Sequence, residues 1–141
     1  MLLCGILSPL LYAIADTLAG LQWENYSFRD QTISELGAIG APSRQLFSVL
    51  LIPTYLLFLV FGVGVWQTAE GRRKLKIAAG LLIAFGTIAI TIGPFASMQL
   101  RGTEQGFAGA FHLIEGGVEM LILLIAMGFA SGTLDRKFRL Y

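Results

Sequence analysis

Four long apolar stretches fill most of this sequence and leave room for little else. Residues 2–21, 47–69, 77–100 and 107–133 each match the length of about 20 apolar residues that a helix needs to cross a bilayer. The second and third carry no charged residue, the first carries only Asp16, and the fourth carries His112, Glu115 and Glu119. Membrane β-strands would alternate polar and apolar positions; these runs do not, so they are expected to be helices. Composition agrees. The chain has 13% charged residues, against about 25% in soluble domains, too few to cover a water-facing surface. A soluble enzyme and a disordered chain are both excluded. The net charge of +1 gives no basic field for nucleic acid. Cys4 is the single cysteine, so no internal disulfide or thiolate metal cluster can form.

The first stretch is read as a true span rather than a cleaved signal peptide. No Lys or Arg precedes Arg29, the apolar run is long, and no A-x-A site follows it. Orientation is expected to follow the basic residues. Arg72, Arg73, Lys74 and Lys76 lie between spans two and three, and Arg136, Lys137 and Arg139 follow span four, while only Arg29, Arg44 and Arg101 lie in the other two loops. Seven against three puts the second loop, the C-terminal tail and, with four spans, the N-terminus in the cytoplasm. The whole of residues 1–141 reads as one transmembrane domain: an all-α, integral membrane four-helix bundle.

The first outer loop, from Trp23 to Arg44, is too polar to span and long for a connector. Ser27 or Asp30 is placed to cap a short helix through Gln31–Leu36, which Gly37, Gly40 and Pro42 would end. Ile33, Leu36 and Ile39 give it an apolar side, so a short amphipathic interfacial helix over the outer end of the bundle is expected. It reads either as an ordered connector or as a lid over a site that includes Glu35.

A family resemblance rests on these same segments. Gly5-Ile6-Leu7-Ser8-Pro9 opens span one, Tyr26-Ser27 follows it, Ile33-Ser34-Glu35-Leu36-Gly37 comes next, and His112 stands near the start of span four after an uncharged span and a basic loop. In this order the chain resembles the prokaryotic multi-pass membrane family known as domain of unknown function nine-nine-eight. More distantly it is similar to the eukaryotic Frag1/DRAM/Sfk1-like membrane proteins. The resemblance implies a polytopic helical fold and a prokaryotic inner membrane, and carries no assigned activity. It also implies six spans, so the sequence is either a short member or a fragment of a longer protein; Phe138–Tyr141 would lead into a fifth span.

Ionisable residues inside spans cost about 2.5–3.5 kcal/mol each on insertion scales and commonly mark function. On an ideal helix His112, Glu115 and Glu119 fall within an arc of roughly 60°. Ser8, Tyr12, Asp16 and Gly20 make a second row on span one, with Asp16 at a depth like that of the two glutamates. Pro53 and Pro94 are read as kinks in the outer halves of spans two and three, and Thr87 and Thr91 add hydroxyls nearby. Four readings follow. The acids can be structural, hydrogen-bonded to Tyr12, Thr91 or backbone, or paired with Arg29, Arg44 or Arg101. They can line an outer-half cavity that binds an amphipathic ligand, a lipid or a quinone, with Asp16, His112, Glu115, Glu119, Tyr12, Thr91 and Glu35 as the candidate site. His112, Glu115, Glu119 and Asp16 can instead hold a metal in a membrane-embedded enzyme, although a lone histidine is a thin ligand set. Proton passage is disfavoured because the inner halves of all four spans are dry.

Gly128 and Gly132, with Ala15/Ala19, Gly80/Ala84 and Ala89/Gly93, space small residues for close helix packing or self-association. The adjacent Gly116-Gly117 pair leaves room for a ligand beside Glu115. No nucleotide motif occurs, no cofactor is implied, and the loops are too short for an extramembrane catalytic domain. The leading expectation is non-enzymatic binding of an amphipathic ligand or a membrane partner; the alternatives are a membrane-embedded enzyme and an accessory subunit of a larger complex.

Overall fold

The computed structural model describes residues 1–133. The charges Arg136, Lys137 and Arg139 and the segment Phe138–Tyr141 lie outside the described residues.

Each apolar run forms one helix: α1 over Cys4–Gln22, α2 over Arg44–Thr68, α3 over Arg73–Thr91 and α4 over Gly106–Ser131. All four are long and apolar enough to cross a membrane. At 1.5 Å per residue, α2 and α4, of 25 and 26 residues, exceed the ~30 Å hydrocarbon core. No β-strand forms among the described residues; a single backbone bridge pairs Ile39 with Gln99. The protein is therefore an all-helical, multi-pass membrane protein. Large apolar side chains such as Phe107, Leu113, Ile114, Met120 and Met127 stay exposed along α4, as lipid-facing residues must.

The helices pack in chain order, α1 on α2, α2 on α3 and α3 on α4, and α1 and α4 are not packing neighbours. Small residues set the contacts. A methyl group at Gly86 would stand 3.1 Å from the Leu59 backbone, and one at Gly62 3.0 Å from the Ile83 nitrogen, so α2 and α3 meet backbone to backbone. Ala15 and Ala19 are fully buried on α1. The Ser8 hydroxyl donates to the Thr54 carbonyl oxygen at 2.9 Å, a polar tie between α1 and α2 in a buried position. Hydrogen bonds of this kind in membrane bundles are worth about 0.6 kcal/mol. Ser8→Ala is therefore expected to lower the thermal midpoint in detergent by only a degree or two; a drop above ten degrees would contradict this reading of the tie.

One proline differs from the sequence expectation. Pro53 lies inside α2 as expected, and Pro9 lies inside α1, whereas Pro94 falls beyond α3. α3 stops at Thr91, and Gly93-Pro94-Phe95 forms a separate 3-10 turn. Proline cannot supply the N–H that would continue the helix, and the glycine before it adds a second break. The third span is shorter than residues 77–100 for that reason, and the freed chain becomes part of the wall described below.

The loop between α1 and α2 is the best-packed part of the molecule. Leu36 and Ser43 are the largest fully buried side chains. Leu36 joins Ala15, Ala19 and Phe47 in a core flanked by Trp23, Tyr26, Ile33, Leu50 and Leu51. Its short helix is a 3-10 turn over Ile33–Gly37, capped by Thr32 rather than by Ser27 or Asp30. Ser27 and Asp30 instead bond each other through their side chains at 2.7 Å and close the preceding turn. Phe28 covers Gly20, where an added methyl would sit 2.3 Å from its ring.

Candidate functional site

Beneath this loop, at the same end of the bundle, lies a cavity of about 800 Å³. Two helices supply its long sides. From α2 come Arg44, Gln45, Phe47, Ser48, Val49, Leu51, Ile52 and Tyr55, and from α4 come His112, Glu115, Gly116 and Glu119. The α4 residues recur at i, i+3, i+4 and i+7, so one helix face delivers all of them. Ala89 and Ile90 at the end of α3, with Gly93, Pro94 and Ala96–Met98 after it, form the back wall, and Ile33, Ser34, Gly37, Ala41 and Pro42 form the roof. Tyr12 is the contribution of α1.

Val49 and Ile52 line the cavity on α2, a spanning helix, and are 57% and 54% exposed, so the α2 side of the cavity carries accessible apolar surface.

The polar groups have unequal surroundings. His112 Nδ1 donates to the Ala96 carbonyl oxygen at 2.7 Å. A carbonyl can only accept, so a neutral His112 carries its proton on Nδ1 and leaves Nε2 as an acceptor. Glu115 reaches the break after α3; its Oε1 lies 3.6 Å from where a Cβ on Gly93 would be. Glu119 Oε1 is buried and has no hydrogen-bond partner among the described residues. Nothing lies within 4 Å of where a Cβ on Gly116 would be, so the space next to Glu115 is open at that point.

Asp16, Thr91 and Glu35 are not part of the lining. Asp16 is half-buried on α1 and outside the cavity wall. Thr91 is exposed, and its hydroxyl donates to the Thr87 carbonyl oxygen at 2.7 Å. Among the described residues no set of three or more His, Cys, Asp or Glu side chains is placed to hold a metal ion.

Glu35 is 2% exposed and fastens the roof. It accepts from the Thr32 backbone N–H at 3.0 Å and the Gln31 amide at 3.2 Å, and it pairs with Arg101 at 2.6 Å. The same Arg101 nitrogen also donates to the Asp30 carbonyl oxygen at 2.7 Å. The Ile39 N–H donates to the Met98 carbonyl oxygen at 2.8 Å and adds a second tie between the two loops at this end. Burial alone would raise the Glu35 pKa, but the hydrogen bonds from Arg101, Thr32 and Gln31 and the Arg101 charge outweigh it and hold the carboxyl at about 2.

Several polar lining residues were not singled out in the sequence, among them Gln45, Ser48, Tyr55 and Ser97. Tyr55 is the single tyrosine of the uncharged second span, and a phenol hydroxyl in such a run was the available signal. Arg44 was noted only as a possible partner for an acid; it lies at the head of α2, in the cavity wall under the roof.

A family model described as "Protein of unknown function (DUF998)" matches residues 6–141. The chain belongs to the DUF998 family. The match covers every spanning helix and the cavity, and its description assigns the family no activity. The more distant likeness to Frag1/DRAM/Sfk1-like proteins is carried by no match. No curated protein and no solved structure matches the chain.

Proposed function

We propose that this DUF998 protein binds an amphipathic ligand, lipid-like or quinone-like, in the cavity between α2 and α4, and that it does so without catalysing a reaction. The observation that carries this reading is the pairing of a polar α4 wall, His112, Glu115 and Glu119, with an apolar α2 edge whose Val49 and Ile52 are exposed on a spanning helix. About 800 Å³ lies within the range of about 300–1,000 Å³ usual for small-molecule sites. A head group with hydrogen-bond donors would meet the glutamates, and a hydrocarbon tail would leave past Val49 and Ile52. The buried Glu119 Oε1, which meets no hydrogen-bond partner among the described residues, argues for a use.

We place the protein in a prokaryotic cytoplasmic membrane, with the basic turn between α2 and α3 on the cytoplasmic side and the roofed cavity toward the outside. The support is the basic-residue count and the family resemblance.

The test is native mass spectrometry of the gently solubilised protein beside the Glu115→Gln/Glu119→Gln double variant. The expected result is one lipid-sized adduct on the wild type that is lost in the variant. An adduct equally retained by both would contradict the site, and a fixed protein partner without any adduct would favour the accessory-subunit reading.

A further inference from the structure

The cavity carries charge of both signs. Arg44 is in the wall at the head of α2, and Glu115 and Glu119 are in the opposite wall on α4. The ion pair among the described residues is that of Glu35 with Arg101, so Arg44 has no carboxylate partner there. Along α4, Glu115 and Glu119 lie nine and thirteen residues beyond its first residue, Gly106, or about 14 and 20 Å deep at 1.5 Å per residue. Arg44 opens its own helix directly beneath the roof. The cavity therefore has a positive group near the roofed end and negative groups further in.

We propose that the head group bound here is zwitterionic, a phosphate next to Arg44 and a primary ammonium next to Glu115 and Glu119, as in an amine-bearing phospholipid that enters sideways between α2 and α4. This deepens the amphiphile-binding reading and rests on it. Three features of the site select this head group. The Arg44 guanidinium offers a forked set of donors suited to phosphate oxygens. The buried Glu119 Oε1 lacks a donor among the described residues, and a buried acceptor left unsatisfied is costly. A primary ammonium brings three N–H donors to such an acceptor, whereas a trimethylammonium brings none. A head group that is anionic only would satisfy Arg44 but bring at most neutral hydroxyl donors, and no positive charge, to the two carboxyl groups. Gly116 keeps the approach to Glu115 clear, and the exposed Val49 and Ile52 leave a path for acyl chains into the bilayer.

The experiment offers the delipidated full chain an equimolar mixture of dioleoyl phosphatidylethanolamine, phosphatidylcholine and phosphatidylglycerol and reads the retained lipid by native mass spectrometry. The ethanolamine lipid is expected to exceed each of the others by about tenfold, the factor that 1.4 kcal/mol of differential binding gives. Glu119→Gln is expected to bring the ethanolamine and choline lipids to parity, and Arg44→Gln to weaken all three. Equal retention of ethanolamine and choline lipids by the wild type would overturn the ammonium assignment, and dominance of the glycerol lipid would overturn the charge assignment. In either case the amphiphile reading itself stands if Gly116→Leu, which narrows the cavity beside Glu115, removes the adduct. Retention of no lipid by the wild type would overturn both. The wild-type ranking decides the matter on its own if Glu119→Gln fails to fold.

Discussion

Glu35→Ala is expected to destabilise the roofed end of this protein by about 3 kcal/mol, since hydrogen bonds to a charged group are worth about 1.5–3 kcal/mol each and such terms are not additive. The side chain is 3% exposed while its partner Arg101 is 58% exposed, so the pair is buried on one side only. The loss falls mainly on what Glu35 organises: the Thr32 cap, the Gln31 amide and the link from the first loop to the loop before α4. Amide hydrogen exchange across residues 27–41 is expected to speed up in the variant while the centres of α2 and α3 stay protected; unchanged exchange would show that the pair does not hold the roof. The pH dependence has a definite sign. The folded-state carboxyl is depressed from 4.5 to about 2, so its contribution is complete above about pH 4.5 and is lost as pH falls toward 2. Arg101→Gln removes the group whose hydrogen bond and charge lower that value, so the acid transition of the roof is expected to move up toward the ordinary carboxylate range.

Gly86→Leu is expected to be the most damaging substitution within the spans. An added Cβ would face the Leu59 α-carbon at 3.1 Å and the Leu59 nitrogen at 3.2 Å, and backbone atoms cannot rotate away. Leucine is a better helix former than glycine by up to about 1 kcal/mol. Overpacking costs about 1–3 kcal/mol and occasionally more, and a branched side chain against backbone belongs at the upper end. A net loss of about 2 kcal/mol is expected, read as a lower midpoint of thermal unfolding in detergent. Gly128→Leu is the control, because nothing lies within 4 Å of that position. Equal midpoints for the two variants would contradict the close α2–α3 packing.

The spans were legible because lipid demands long apolar runs, and the facing of His112, Glu115 and Glu119 was legible because helical periodicity fixes it within one helix. Asp16 shows where that reasoning stops. Its depth matched that of the glutamates, but depth and face on one helix do not say which neighbour that face meets. The helices pack in chain order, and Asp16 stays out of the cavity wall while Tyr12, one turn away, enters it. Thr91 failed for a related reason. It ends α3 next to Ala89 and Ile90, which do line the cavity, but a step of 100° along the helix turns it outward. Glu35 looked like a ligand group because its partner is 66 residues away, and pairing between two loops leaves no periodic trace. Pro94 was read as a kink because the apolar run continues past it, whereas the backbone needs an N–H there to continue the helix.

In the proposed function, the space beside Gly116 holds an amphiphile drawn from the membrane. The most direct measurement compares co-purifying adducts on the wild type and on Gly116→Leu by native mass spectrometry, with thermal unfolding of both in the same detergent. A leucine here meets no protein atom close to its Cβ and narrows the cavity next to Glu115. The expected result is a folded variant with a lipid-sized adduct absent or reduced at least tenfold, which is a loss of about 1.4 kcal/mol of binding or more. A folded Gly116→Leu protein carrying the adduct at the wild-type level would contradict it.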